Sequence, residues 1–184
     1  MDREGATRLV QACVANAERQ LESIGTHPHT AFFVVGKNVA VICLDEEMEA
    51  VTAAEQRGDS KTAGRLKDEM ADWMRSYASE IGADGLIQIF EAWLAVPHED
   101  GVEELAGGDE PGMRRMPLLI EPRLSPHRRR ALMAAYEFRL DDGSRLEGGD
   151  VFLFTTENEG KVRLRRDGRL SGGGWGGRFF GLMP

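Results

Sequence analysis

The chain has few of the residues that carry most enzyme chemistry. Its 184 residues include two cysteines, Cys13 and Cys43, and four histidines, His27, His29, His98 and His127. Both cysteines sit among apolar residues, which reads as reduced, buried thiols rather than a disulfide framework. There is no G-x-S-x-G elbow and no cysteine in a basic setting, which removes the recognisable activated nucleophiles. SGGGWGG (171–177) lacks the G-K-[ST] ending of a phosphate loop and opens no helix. No stretch reaches the ~18 apolar residues that a membrane helix needs. The opening MDREGATRLV has no basic run leading into an apolar one, so no secretory signal is read and a cytoplasmic protein is expected. Lysine is scarce, and the Arg-heavy basic set also fits a GC-rich genome.

What remains is a composition of 41% hydrophobic and 29% charged residues, suited to a folded soluble domain rather than a disordered chain. Charge is divided by position. Residues 1–112 carry 22 Asp and Glu against 9 Lys and Arg, whereas residues 113–184 carry 9 against 14. A bipolar chain can fold its halves together, pair with a copy of itself, or offer its basic end to a polyanion. The split points to association and names no reaction.

Spacing predicts the elements. Leu9, Val10, Cys13, Val14, Ala17, Leu21 and Ile24 form one stripe of a helix over about 5–24, with Gly25 as its stop. HTAFFVV (29–35), a GKN turn and VAVICL (39–44) read as a hairpin, apolar enough for cover on both faces. DEEMEA (45–50) opens a helical or irregular stretch and looks like a solvated run. Ser60 is the expected N-cap of a second helix carrying Leu66, Met70, Trp73, Met74, Tyr77 and Ile81. GLIQIFEAWLAV (85–96) reads as a central strand, apolar on both faces. Residues 97–128 form a long connection, acidic and then proline-punctuated, in which LLIE (118–121) is a short edge strand at most. A meander follows over 130–140, 145–156 and 161–166, with Gly148 and Gly149 suggesting a bulge or bend.

The expected fold class is α+β: a mostly antiparallel sheet of five to six strands covered by two amphipathic helices. One domain is expected over residues 1–170, followed by a Gly-rich apolar tail over 171–184.

Four constellations are candidate sites. THPHT (26–30) sets His27 and His29 two residues apart, as in the H-x-H of JAMM-type metal hydrolases, but the Ser-x-x-Asp that those enzymes need downstream is missing. Ordinary loop histidines are the preferred reading, and no metal or other cofactor is expected. GGDE (107–110) matches the diguanylate cyclase signature except that Pro111 replaces its Phe, and no companion motif is present. The basic patch is Arg128, Arg129, Arg130, Lys161, Arg163 and Arg165. Lys161, Arg163 and Arg165 alternate along one strand, a comb able to meet phosphates. Glu137, Glu147, Glu157 and Glu159 lie in the same meander and can neutralise it across strands. No aromatic residue alternates with the comb to stack bases. The tail offers Trp175, Phe179, Phe180, Leu182 and Met183, an apolar set that must dock on this chain, on a copy, or on another partner.

EAW (91–93) on a strand, then SPHRRRALMAAYEFRLDDG (125–143), resembles a set of small uncharacterised bacterial and phage-associated proteins. In these an E-A-W strand leads to a P-x-H-x-x-R segment, a further strand and an acidic D-G turn. The likeness spans about 50 residues and implies no activity.

The sequence favours a non-catalytic domain that acts through protein contacts, as a homo-oligomer or a subunit of a larger assembly. Two alternatives stand beside it: nucleic-acid or polyanion binding through the Arg-rich half, and a metal-dependent hydrolase using His27 and His29. No membrane partner is expected. The acidic 97–112 loop and the Arg-bearing meander are expected to face each other, within the chain or across an interface.

Overall fold

A computed structural model describes residues 1–95, 128–156, 162–169 and 182–183. The elements run α1 (Arg3–Ile24), β1 (Thr30–Val35), β2 (Asn38–Cys43), α2 (Asp45–Gln56), α3 (Ser60–Glu80), β3 (Gly85–Ala95), β4 (Arg128–Arg139), β5 (Arg145–Thr156) and β6 (Val162–Arg169). The strands form one sheet in the order β2-β1-β3-β4-β5-β6, and every neighbouring pair is antiparallel. This is the α+β architecture that the spacing predicts, with β3 in the middle. The described residues hold three helices rather than two, because residues 45–56 complete the helix α2. Its acidic first turn, Asp45–Glu46–Glu47, lies where the helix dipole favours negative charge.

The sheet is sandwiched. α1 lies over β3, β4 and β6. Its stripe of Ala6, Val10, Cys13, Ala17 and Leu21 packs on Val34, Ile87, Ile89, Leu132, Ala134 and Phe138. The helix starts at Asp2, whose carboxylate accepts the N–H of Gly5, and stops at Gly25, whose φ of 78° only glycine adopts readily. On the opposite face, α3 places Met70, Ala71, Met74 and Ala78 against Ala31, Phe33 and Leu86. The α3 N-cap is Asp59, which accepts the N–H of Thr62, and not Ser60. A carboxylate one residue upstream takes the capping role.

Four expectations fail in informative ways. The hairpin is not covered on both faces: β1 is largely buried, but β2 is the sheet edge, with Val39 and Val41 exposed at 40% and 61%. Cys43 is exposed for the same reason, while Cys13 is buried on the sheet-facing side of α1 as expected. Gly148 and Gly149 make no bulge against β4, where the register runs unbroken. Gly148 instead gives room to the Tyr136 ring directly across from it, and the register shift falls at Val151/Phe152 between β5 and β6. Trp73 leaves the α3 core stripe and stacks on Tyr77 while 43% exposed. Lys67 of the same helix is buried instead, and its ammonium forms an ion pair with Glu55 of α2.

The 97–127 connection, with LLIE, GGDE, His98 and His127, lies outside the described residues. So do Lys161, the turn at 157–160, and the tail apart from Leu182 and Met183.

Candidate functional site

Three places gather polar or unpartnered groups on the sheet. The first lies between α1 and β1. The α1–β1 connection is pinned by two carboxylates: Glu91 Oε1 accepts the His27 N–H, and Asp45 Oδ1 accepts the His29 N–H at 2.8 Å. Glu91 Oε2 takes the Nε of Arg130 at 2.5 Å, and the Arg130 guanidinium lies 4.9 Å from the centre of the Phe154 ring. His29 stacks on Phe90 with ring centroids 5.0 Å apart.

His27 and His29 lie in the loop between α1 and β1, as the sequence reading has them, but they are buried there. Their neighbours, Glu91 and Phe90 from β3, lie some sixty positions along the chain. Burial pushes the His29 imidazole down to about 4, opposed by the Gln88 side chain and the charge of Asp45 and aided by His27. Burial also lowers His27, against the Pro28 backbone, Glu91 and Asp45. Both rings are neutral near pH 7. His27 Nδ1 has no hydrogen-bond partner among the described residues. Among those residues no group of three or more His, Cys, Asp or Glu is arranged to hold a metal ion. The cluster's visible work is to fasten a connection to the sheet.

The second place is a slot on the α3 face. Glu137 of β4 is buried there, and its Oε2 accepts the backbone N–H groups of Leu182 and Met183 at 3.1 and 3.4 Å. Arg145 Nη1 reaches Glu137 Oε1 at 3.5 Å. Leu182 and Met183 are buried in the cluster with Phe33, Leu86, Met70 and Met74. These are the two tail candidates that the structure describes; Trp175, Phe179 and Phe180 lie outside the described residues. A glutamate interrupting the apolar run 131–138 of β4 is the local sign of this slot.

The basic patch is only partly visible. Arg130 is held by Glu91, and the nearby Arg166 pairs with Asp150. Arg128 and Arg129 extend β4 opposite Ala95 and Leu94, and Arg163 and Arg165 of β6 lie opposite Thr155 and Leu153. The side chains of these four arginines are outside the described set.

The third place is the β2 edge. The N–H of Asp84 donates to the carbonyl of Val34, and the N–H of Leu44 to the carbonyl of His29. The Val34 bond points toward β3, so the alternate residues Ala31, Phe33 and Val35 turn toward β2 and meet Ile42, Ala40 and Asn38. The backbone groups of Val39, Val41 and Cys43 consequently point outward, where no described strand pairs with them. Their side chains share one exposed face. No helix of the described residues is long and apolar enough to cross a membrane. Comparison with protein-family models, with curated proteins and with solved structures finds no match for this chain.

Proposed function

We propose that this chain is a non-catalytic assembly domain that works through protein contacts and associates with copies of itself. The observation that supports this reading is the β2 edge. Six residues, NVAVIC, carry no charge and no proline, and Val41 is 61% exposed beside an open row of backbone donors and acceptors. Monomeric proteins guard such edges, because an unguarded one is a template for another strand. The other edge of this sheet is guarded: β6 reads VRLRRDGR, and its pairing with β5 contains a register shift. Among the described residues, one edge is blunted and the other is bare. Light scattering on the eluting peak of a size-exclusion column, over a hundredfold range of concentration, tests the reading. A mass above the 20.3 kDa of one chain is expected. A single 20.3 kDa species throughout would overturn it.

A further inference from the structure

We infer that β2 pairs antiparallel with β2 of a second copy, with Val41 on the twofold axis, so that two six-stranded sheets join into one. The inference rests on the assembly reading above and specifies its partner and register.

Geometry restricts the register. The outward backbone groups belong to Val39, Val41 and Cys43. A regular antiparallel ladder joins outward residues only to outward residues. Pairings that set Val39 or Val41 against Ala40 or Ile42 of the second copy are therefore excluded. Of the registers left, the one centred on Val41 uses the whole strand. Val41 exchanges both hydrogen bonds with its own copy, and Val39 does so with Cys43 of the second copy on each side of the axis. This is an isologous contact, as closed homodimers require.

Charge selects the same register. Lys37, in the turn before β2, is exposed, and so are Asp45, Glu46 and Glu47 just after it. With Val41 on the axis, Lys37 falls opposite Asp45 of the second copy, next to the acidic first turn of α2. Each end of the joined ladder, about 13 Å from the axis by strand rise, then brings a cation to an acidic turn. The strand between them is uncharged, so self-pairing opposes no like charges. The β6 edge, by contrast, has arginine at four of its eight positions, the charge that β2 lacks.

Two variants test this on the full chain. Val41→Lys places two ammonium groups face to face on the axis and leaves the hydrogen bonds to β1 in place. Its mass in light scattering should fall twofold from the dimer value while its far-ultraviolet dichroism is unchanged. Val39→Cys places a thiol opposite the native Cys43 of the second copy. Mild oxidation should then yield a disulfide-linked dimer on a non-reducing gel, and Val39→Cys/Cys43→Ser should yield none. Within one chain these two positions are four strand residues apart, about 13 Å, which no disulfide spans. The cross-link carries the test if Val41→Lys fails to fold. An oligomer that survives Val41→Lys and gives no Val39→Cys cross-link overturns this interface but keeps the assembly reading. A wild-type chain that stays monomeric overturns both.

Discussion

Glu137 accepts the backbone N–H of Leu182 at 3.1 Å across 45 residues of chain. The carboxylate is 1% exposed, so it depends on these donors and on Arg145 to replace its water. Two residues near the end of the chain are thereby held on the middle of the sheet. The contact joins the apolar cluster beneath α3 to a charge-assisted anchor, and the two parts fail together.

Removing the anchor should loosen that face. Glu137→Ala leaves two buried N–H groups without an acceptor, at about 1–3 kcal/mol each. Urea unfolding should show a loss of roughly 2–4 kcal/mol. Glu137→Gln keeps an acceptor oxygen of the same reach and should recover more than half of that loss. Equal losses for the two variants would show that the charge, not the hydrogen bonds, holds the segment.

The Lys67–Glu55 pair joins α2 to α3 with both side chains nearly free of solvent, at 3% and 5% exposure. Breaking it from one side strands a buried charge. Lys67→Met should destabilise by about 3–5 kcal/mol, whereas Lys67→Met/Glu55→Leu should lie near or above wild-type stability. A chemical-denaturation double-mutant cycle measures the difference. If the double variant is as unstable as the single one, the pair is needed for packing rather than for charge balance.

The fold class was legible because the apolar spacing is long and regular. The α1 stripe from Val10 to Leu21 and the two faces of β3 as far as Phe90 appear in the structure as the spacing draws them, while Ile24 at the end of the stripe is 61% exposed. β2 was misread for a physical reason. An apolar strand has the same local pattern at an edge as in the interior, and only its neighbours in space distinguish the two. The histidines are loop residues as read, but their burial is not legible locally: it comes from Phe90 and Glu91, which arrive from β3. Lys67 was invisible as a core residue because its partner lies on another helix. In each case the missing information is a contact between distant positions, which local periodicity does not carry.

Gly85 should resist substitution. It lies directly across from Phe138, and a Cβ at this position would come within 2.3 Å of the ring. Phe138 is 1% exposed and packed in the cluster beneath α1. Gly85→Ala should cost about 1–3 kcal/mol as overpacking. Phe138→Leu should be destabilising alone but should relieve part of the Gly85→Ala cost, a coupling that a thermal-unfolding cycle reads directly. Additive effects would mean that the glycine is needed for some reason other than the ring.

Acid should act on the fold through His29. The imidazole is neutral and buried against Phe90 and Gln88, with Asp45 and His27 as its charged or titratable neighbours. Its value is about 4 in the folded chain, against an ordinary 6.5 when the chain is open. Between those values the unfolded state binds the additional proton, so folding stability rises with pH. The contribution is complete above about pH 6.5 and disappears as pH falls toward 4, a change of about 3 kcal/mol. Urea midpoints measured from pH 4 to pH 7 should fall with acid in the wild type. His29→Phe keeps an aromatic ring on Phe90 and removes the titration, so its curve should be flatter by most of that amount. An equal slope in the two proteins would assign the acid sensitivity to groups other than His29.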